Sequence, residues 1–526
     1  MSSFMGRATL ACASLLVLLL AVATAAAAAT PVPQVVGPLP VTEASHPFGG
    51  ASWQLQPQDL AARGYVEEEY LLTGTANVYE WAADGTAAVR TPGAPYTTRV
   101  LVRRPVKRTR LSGTVVVEPL NPSNTFDLNI GWGFSGDHFM RNGDVWVGFT
   151  SKPISVQALK AFDAERYAPL SWANPLPLDD PRNCTDIQTL VDPLPLRSRT
   201  TEDGLVWDIL SQVGAWLKSD AQTNPLAYGR GARRASAIDR AYGFGYSQTG
   251  SMLITYINAI QPRVVASDGA PIYDGYLVAV AGGLFIGAAP LNQCTPVPPL
   301  GDPRRSLANA GVPVIQMMSQ SDYLIGIAAR RPDSDTPPDL FRHYEMAGAA
   351  HASPEELLFS ARPQDILAAG RAVPPMTCNE GPRSRFPNAI FIDAALRNID
   401  LWSRDGLPAP RAEDILVANG EPVLDEFGNV VGGLRSPYLD VPTSTWRASA
   451  TGASFCFIAG YEIPFDQALL DELYPTQGAY VRAVTRSVRE LVADRFLTRA
   501  DGRRIISEAM ETPVRETGAG SPVGAR

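Results

Sequence analysis

The chain is poor in histidine and cysteine, and both shortages limit the kinds of site it can build. Only four histidines occur among its 526 residues, so a catalytic base or a metal site made of imidazole has few candidates. No Cys-x-x-Cys pair occurs, which excludes a compact zinc site of that type. Phosphate-binding loops and dinucleotide fingerprints are also missing. We therefore expect neither a metal nor a cofactor.

Basic residues are also in deficit, since the formal net charge is -8. A nucleic-acid or anionic-membrane surface needs a basic footprint, so neither partner is expected. The one basic run, Arg103 to Arg110, is interpreted as a solvated loop.

Long apolar runs are missing everywhere except at the N-terminus. Arg7 precedes an apolar stretch from Leu10 to Val22, and Ala21 to Ala29 offers small-x-small cleavage sites. This pattern predicts a signal peptide over residues 1–29. A membrane anchor is the alternative, but polar residues interrupt the stretch and alanine is weakly hydrophobic. We expect a secreted or periplasmic protein with no stable membrane anchor after cleavage.

The number of cysteines is consistent with export. Removal of the signal peptide discards Cys12 and leaves Cys184, Cys294, Cys378 and Cys456 in an oxidising compartment. Two disulfides are then possible, and the sequence leaves all three pairings open.

The remaining chain alternates strand patterns with helix patterns and has many long connections, as its 45 prolines and 44 glycines indicate. Such alternation predicts an α/β fold with a mainly parallel sheet covered by helices on both faces. We expect an N-terminal extension with the first strands over 30–110, a core over 111–360 with an insertion at about 151–240, and a helical C-terminal extension over 361–526 packed on the core. The predicted strands are Tyr65 to Trp81, Tyr96 to Val106, Gly113 to Glu118, Asp144 to Thr150, Ala241 to Tyr246, Tyr273 to Val280, Gly311 to Met318 and Phe341 to Ala347. The predicted helices are Leu128 to Arg141, Leu205 to Lys218, the one following Ser247, Asn388 to Arg404 and Tyr480 to Phe496.

The stretch from Ala241 to Ile257 carries the strongest functional pattern. A strand pattern enters a corner of small residues at Gly245 and Ser247 and leaves as a helix pattern. A serine at such a strained turn has its hydroxyl exposed beside a helix N-terminus, as a nucleophile requires. The glycine usual two residues after the serine is replaced by Thr249, with Gly250 one position later.

A serine nucleophile needs a base and an orienting carboxylate. Of the histidines after Ser247, His343 lies within a predicted strand, where a structural role is expected, whereas His351 follows that strand in a flexible run of small residues. We therefore predict His351 as the base. The acid should follow the preceding strand, and Asp322 is the first carboxylate there; Asp333, Asp335 and Glu345 are weaker substitutes.

The developing oxyanion requires two backbone N–H donors. Gln248, directly after the serine, is predicted to supply one, and Leu120 or Asn121, in the loop after the Val115 to Val117 strand, the other. Pro119 and Pro122 have no N–H and are excluded.

Aromatic residues could line a pocket for an apolar acyl group. The candidates are Tyr246, Trp132, Phe134 and, in the insertion, Trp172. For each of them a place in the core or as a loop anchor is an equal alternative.

These motifs resemble the alpha/beta-hydrolase superfamily, and more closely a group of large secreted proteins with that domain. The resemblance rests on Gly245 to Gly250, Pro313 to Asp322, Glu345 to His351, and Ile463 to Asp466 followed by Leu473 to Pro475. It implies an alpha/beta-hydrolase fold and acyl transfer to water through Ser247, His351 and Asp322, on a small-molecule or polymeric ester. An acyltransferase or peptidase with the same triad, and an exported binding protein with an inactive site, are the alternatives.

Overall fold

A ten-stranded sheet forms the centre of the protein in a computed structural model that describes residues 27–184, 187–188, 195–282, 289–299, 301–324 and 330–514. We label its strands in chain order: β1 Gln34–Val36, β2 Tyr65–Trp81, β3 Ala87–Pro105, β4 Thr114–Leu120, β5 Val145–Thr150, β6 Arg240–Tyr246, β7 Gly275–Ala279, β8 Val314–Ser319, β9 Ser334–Thr336 and β10 Asp339–Met346. Their spatial order is β9-β10-β8-β7-β6-β4-β5-β3-β2-β1.

The six central strands, β10 to β5 in that order, are mutually parallel, and the outer strands pair antiparallel. Every residue of β4 and of β5 is buried, which agrees with their continuous runs of apolar residues. Parallel strands place all their carboxyl ends at one edge of the sheet, so β6, β8 and β10 end side by side.

Twelve α-helices surround the sheet in the described part of the chain. They are α1 Ile130–Asn142, α2 Pro153–Phe162, α3 Val206–Lys218, α4 Gln248–Thr255, α5 Ser321–Leu324, α6 Glu355–Leu358, α7 Pro363–Ala368, α8 Ala389–Asp405, α9 Pro437–Asp440, α10 Gln467–Leu473, α11 Gln477–Ala493 and α12 Arg499–Glu511. Short strand pairs outside the main sheet are Ala28–Ala29 with Val264–Val265, Ile187–Gln188 with Pro195–Arg197, Ala227–Tyr228 with Ala235–Ser236, Thr377–Cys378 with Gly381–Pro382, Val417–Ala418 with Glu421–Pro422, and Ser444–Arg447 with Tyr461–Pro464.

Helices cover both faces of the sheet, as two neighbouring residues of β6 show. A Cβ on Gly131 of α1 would lie 2.8 Å from the Phe244 ring, and a Cβ on Gly243 would lie 3.7 Å from Leu253 of α4. Consecutive strand residues point to opposite faces, so α1 and α4 lie on opposite sides. The predicted doubly covered parallel sheet is confirmed.

Each predicted strand and helix is present in the structure, which also contains elements that were not predicted. The insertion at 151–240, expected to contain one helix, also contains α2, whose first residue is Pro153, a favoured position for proline. Strand β3 begins at Ala87 rather than at the predicted Tyr96. The elements β1, β9, α5, α6, α7, α9, α10 and α12 were not predicted. The C-terminal part also contains short strand pairs besides its helices. The division of the chain into a core and two extensions stays a prediction.

The interpretation of the basic run as a solvated loop is wrong for its first two residues, since β3 extends to Pro105 and the half-buried Arg104 is paired with Glu68 at 2.7 Å. Arg103 is fully buried on β3, where its Nε donates to Glu67 at 2.7 Å. Its guanidinium also lies between the rings of Trp132 and Trp146, at 4.6 and 4.8 Å from their centroids. A carboxylate on the neighbouring strand and two aromatic faces compensate the buried charge.

Cys184, Cys294, Cys378 and Cys456 form two disulfides, Cys184–Cys294 and Cys378–Cys456. The predicted signal peptide lies almost entirely outside the described residues. Of its last residues, Ala28–Ala29 pair with Val264–Val265. In the ranges that the structure describes, no helix is both long enough and apolar enough to span a bilayer.

Candidate active site

Ser247 lies at the carboxyl end of β6 in an unusual backbone conformation. Its φ is 56° and its ψ is -118°, outside the regions that residues with a side chain normally occupy. Ser247 is half-buried while the six residues before it are buried, and α4 begins at the next residue. The sequence thus forms the strand, sharp turn and helix expected of a nucleophile elbow.

Two glycines allow the strand and helix to approach at this turn. A Cβ on Gly245 would lie 2.5 Å from the Thr249 carbonyl oxygen, and one on Gly250 would lie 2.6 Å from the Ala281 Cβ. No real side chain tolerates such distances. Gly250 therefore provides the close approach to the next strand, one position later than in the usual motif.

The off-pattern residue Thr249 has its own role in the turn. Its hydroxyl accepts a hydrogen bond from the Tyr246 N–H at 3.0 Å and lies 3.1 Å from the Tyr246 carbonyl oxygen. The Asn121 side-chain amide donates to the same carbonyl at 2.8 Å. These contacts hold the peptide before Ser247 in place.

Asp322 and His351 meet at the same edge of the sheet, after β8 and β10. The Asp322 Oδ1 is 2.9 Å from the His351 Nδ1, and its Oδ2 accepts from the N–H and the hydroxyl of Ser319 at 2.7 and 3.1 Å. Because a carboxylate only accepts, the His351 proton lies on Nδ1 and leaves Nε2 as the basic nitrogen. Both side chains are buried.

Tyr246 connects the elbow to the histidine loop. Its hydroxyl donates to the His351 carbonyl at 2.6 Å, and its ring meets the His351 ring edge to face at a centroid distance of 5.7 Å. Burial raises the pKa of Tyr246 well above its ordinary value. Tyr246 therefore stays neutral and positions His351 relative to Ser247.

The other carboxylates considered for the triad have different partners. Glu345 is 2.9 Å from His343 and 2.8 Å from Arg330, and Asp333 and Asp335 approach Arg342 at 3.8 and 2.5 Å. His343, Glu345 and Asp414 could together offer three metal ligands within 4.8 Å, but Arg330 already supplies a cation there, 3.6 Å from Asp414.

The predicted oxyanion donors lie on either side of the elbow. Gln248 is the first residue of α4, so its N–H has no partner within the helix. Its side chain accepts from the Ser123 hydroxyl at 3.3 Å, which ties it to the loop after β4. The Asn121 N–H donates to the Leu128 carbonyl at 3.2 Å. Leu120, the other candidate donor, is the last residue of β4.

Of the aromatic candidates, the structure brings Phe134 to Tyr246, with ring centroids 5.2 Å apart. Trp132 instead packs on Trp146 and Arg103, and its indole donates to Gln58 at 2.6 Å. Trp172 is buried in the insertion.

Two buried charged residues near His351 were not found from the sequence. Glu356 accepts from the Ser353 N–H at 3.2 Å, and burial raises the pKa of Glu356 to about 7, opposed by the charges of His351 and Arg383. Arg383 is 3% exposed, and burial lowers its pKa. Neither residue belongs to a periodic pattern or motif, so nothing in the sequence distinguishes it from a surface charge.

The fold and the site together define an alpha/beta hydrolase. The family model described as alpha/beta hydrolase domain matches residues 35–507. The chain belongs to this family.

Comparison with solved structures finds distant similarities. The carboxylesterase Cest-2923 from Lactobacillus plantarum is 10% identical, with 43% of this chain and 67% of that chain covered and a TM-score of 0.25. A lipase/esterase from Lactobacillus plantarum is 9% identical, with 43% and 76% covered and a TM-score of 0.25. Acetyl xylan esterase 1 from Thermoanaerobacterium is 12% identical, with 40% and 48% covered and a TM-score of 0.19. No curated protein matches the chain.

Proposed function

We propose that this protein is an exported serine hydrolase that cleaves carboxylic esters, with Ser247 as nucleophile, His351 as base and Asp322 as its orienting carboxylate. The observation that carries the proposal is the 2.9 Å contact between Asp322 and His351 at the sheet edge where the strained Ser247 also lies. Three residues far apart in sequence thus share one edge in the order typical of this fold.

In the proposed reaction the Ser247 oxygen attacks the ester carbonyl carbon while its proton passes to the His351 Nε2. Asp322 stabilises the resulting imidazolium through Nδ1. The Gln248 N–H, at the positive end of α4, stabilises the oxyanion. The intermediate then expels the alcohol, which takes the proton from His351, and leaves an acyl-enzyme.

Water completes the cycle by the same steps in reverse. His351 removes a proton from water, the hydroxide attacks the acyl carbon, and the Ser247 oxygen leaves with the proton returned by His351. The second oxyanion donor in this proposal is the N–H of Leu120 or of Asn121. Leu120 lies opposite Thr150 in the sheet, and the Asn121 N–H would first have to leave the Leu128 carbonyl.

The substitution Ser247→Ala tests the proposal directly. We expect loss of p-nitrophenyl ester turnover by at least about a thousandfold, because the nucleophile is absent, with an unchanged circular dichroism spectrum. The exposed Ser306→Ala is the matched control and should keep full activity. Full activity of Ser247→Ala would refute the assignment.

Two further measurements separate the alternatives. A fluorophosphonate should label the parent protein at Ser247, whereas an inactive binding protein would not react. Product analysis with added alcohols or amines, and with peptide substrates, distinguishes a hydrolase from an acyltransferase or a peptidase. Dominant transfer to alcohol in water would replace ester hydrolysis with acyl transfer as the function of the same site.

Export is proposed from the N-terminal pattern of residues 1–29 and from the two disulfides, which form and persist in oxidising compartments.

A further inference from the structure

Two adjoining cavities, which we call the arginine basin, lie where the end of α1 meets α8 and the junction of α11 with α12. The first has a volume of about 490 Å³ and the second about 540 Å³, and they share Arg397, Arg499 and Arg503. The first adds Arg141, and the second adds Arg489 and Arg495. Six arginines thus line one basin in a protein whose formal net charge is -8.

The nearby carboxylates leave much of this charge uncompensated. Asp393 lies 3.5 Å from Arg141 and 3.7 Å from His138. Asp501 lies 3.9 Å from Arg141 and 3.8 Å from Arg504. Burial and the adjacent Asp501 raise the pKa of Asp393, which weakens its negative charge.

Four of the other arginines have no carboxylate partner among the described residues. No ion pair in the described ranges involves Arg397, Arg489, Arg499 or Arg503. Burial and repulsion by Arg495 and Arg499 lower the pKa of Arg397. On the far side of Arg397, Asp400 is already paired with Arg404 at 2.9 Å. Arginines that repel one another without a local acid form a natural place for an anion.

Backbone and buried side-chain donors also face the basin. Helix α12 has 13 residues, and its N-cap Thr498 together with Arg499 and Ala500 lines the first cavity. The Thr498 hydroxyl accepts from the Asp501 N–H, so the N–H groups earlier in the turn have no partner within the helix. In the second cavity, one guanidinium nitrogen of Arg495, Nη1, is buried without a hydrogen-bond partner among the described residues.

The second cavity has an apolar floor, formed by Val488, Val492 and Ile506. A purely inorganic anion would leave this floor uncovered. Apolar surface beside several guanidinium groups suits a molecule with an anionic head and an apolar substituent.

The basin is separate from the candidate active site. It includes the last turn of α1. The carbonyl of the following residue, Gly143, accepts a hydrogen bond from the N–H of Ser112, two residues before β4. It therefore lies toward the amino ends of β4 and β5, at the edge of the sheet opposite Ser247.

We propose that the arginine basin binds a phosphate monoester with an apolar substituent, with its phosphate against Arg397, Arg499 and Arg503 and its apolar part on Val488, Val492 and Ile506. Guanidinium groups match the oxygens of a phosphate in geometry and charge, and a helix N-terminus adds N–H donors. The phosphate is that of a soluble ester or of a lipid headgroup.

The test is isothermal titration of the full mature protein with octyl phosphate, inorganic phosphate and octanol at fixed ionic strength. We expect octyl phosphate to bind more tightly than inorganic phosphate, and octanol not to bind. The double substitution Arg499→Gln/Arg503→Gln should weaken binding by at least about tenfold, since it removes two charged donors. The matched control is Arg482→Gln/Arg486→Gln, which removes the same charge from exposed positions of α11 outside the basin.

The result that would overturn the proposal is the absence of octyl phosphate binding to the parent protein, or equal weakening by the two double substitutions. Equal affinity for octyl and inorganic phosphate would overturn the amphipathic assignment. Sedimentation with phosphatidylcholine vesicles, with and without phosphatidic acid, distinguishes the sources. Binding only to vesicles with phosphatidic acid, lost in Arg499→Gln/Arg503→Gln, supports a lipid headgroup, whereas binding of octyl phosphate alone supports a soluble ester.

Discussion

Thr249 shows how the turn at Ser247 can depart from the usual motif and be held by different chemistry. The usual elbow has glycine at this position, but here Gly250 makes the close approach and the Thr249 hydroxyl binds the main chain of Tyr246. Thr249 is fully buried, so water cannot replace that hydroxyl.

The nearly isosteric substitution Thr249→Val tests this role. It leaves the buried Tyr246 N–H without a partner, which should lower the free energy of unfolding by about 1–3 kcal/mol. Urea denaturation measures the effect. Thr249→Ser keeps the hydroxyl and serves as the control. A valine variant as stable as the parent protein would show that the hydroxyl is dispensable.

Glu356 is a single residue that should make the stability of the protein depend on pH. Its pKa is raised from 4.5 to about 7 by burial, so the folded protein binds this proton more tightly than the unfolded chain. The contribution of Glu356 to the free energy of unfolding is fully present at pH values below the pKa of this residue in the unfolded chain. It is lost as the pH rises through the pKa of Glu356 in the folded protein. Stability should therefore fall between about pH 5 and pH 8 on account of this residue.

In Glu356→Gln this loss should disappear, because the amide carries no charge and can still accept from Ser353. We expect the stability of the variant relative to the parent to rise by a few kcal/mol from about pH 5 to about pH 8. Urea denaturation at both pH values checks it, with the exposed Glu426→Gln as control. A pH-independent difference would contradict the burial argument.

At the scale of elements, one hydroxyl connects the C-terminal part to the histidine loop. Ser321, the first residue of α5, donates to the Ala448 carbonyl at 2.5 Å and accepts from the His351 N–H at 3.0 Å. Ala448 directly follows the strand Ser444–Arg447. The strand pair Ser444–Arg447 with Tyr461–Pro464 therefore supports the backbone of His351 from outside the main sheet.

Ser321→Ala should loosen this support. We expect kcat for p-nitrophenyl esters to fall by about tenfold, equivalent to roughly 1.4 kcal/mol, with a smaller change in KM, because the proposed base His351 loses its fixed position while the turn at Ser247 is unchanged. Ser449→Ala is the matched control, since the Ser449 hydroxyl bonds the Phe457 carbonyl within the same segment. Equal losses of kcat in the two variants would argue against a specific role of Ser321.

At the scale of the whole molecule, the disulfides close two long loops. Cys184–Cys294 joins the insertion to the chain after β7, with a separation of 110 residues, and Cys378–Cys456 spans 78 residues. The second disulfide packs against Ala352, next to His351. Both crosslinks thus connect segments that the main sheet does not contain.

Removing either disulfide should destabilise the protein. On the chain-entropy account, loops of this length correspond to about 4–5 kcal/mol each. We expect Cys378→Ala/Cys456→Ala and Cys184→Ala/Cys294→Ala each to lower Tm, and dithiothreitol to lower the Tm of the parent protein. The doubly substituted proteins serve as each other's controls. An unchanged Tm after complete reduction would contradict a stabilising role.

The local sequence determined the elements that depend on local patterns. Three kinds of local pattern predicted structures that are present: the apolar runs of β4 and β5, the helix patterns of α1, α3 and α8, and the small-residue corner at Ser247. They could be predicted because side-chain periodicity and turn chemistry depend on residues close together in the sequence. The order of Ser247, Asp322 and His351 along parallel strands also followed from the sequence, since successive strands end at one edge of the sheet.

Only the tertiary structure decided which distant residues meet. Four features of the structure leave no trace in the local periodicity of the sequence. They are the cysteine pairing, the burial of Arg103 between two tryptophans, the interaction of Glu356 with His351, and the meeting of six arginines from four helices and the turn after α11. Each is a contact between segments far apart in the chain. Its energy depends on desolvation and on partners that exist only once the sheet and helices have packed.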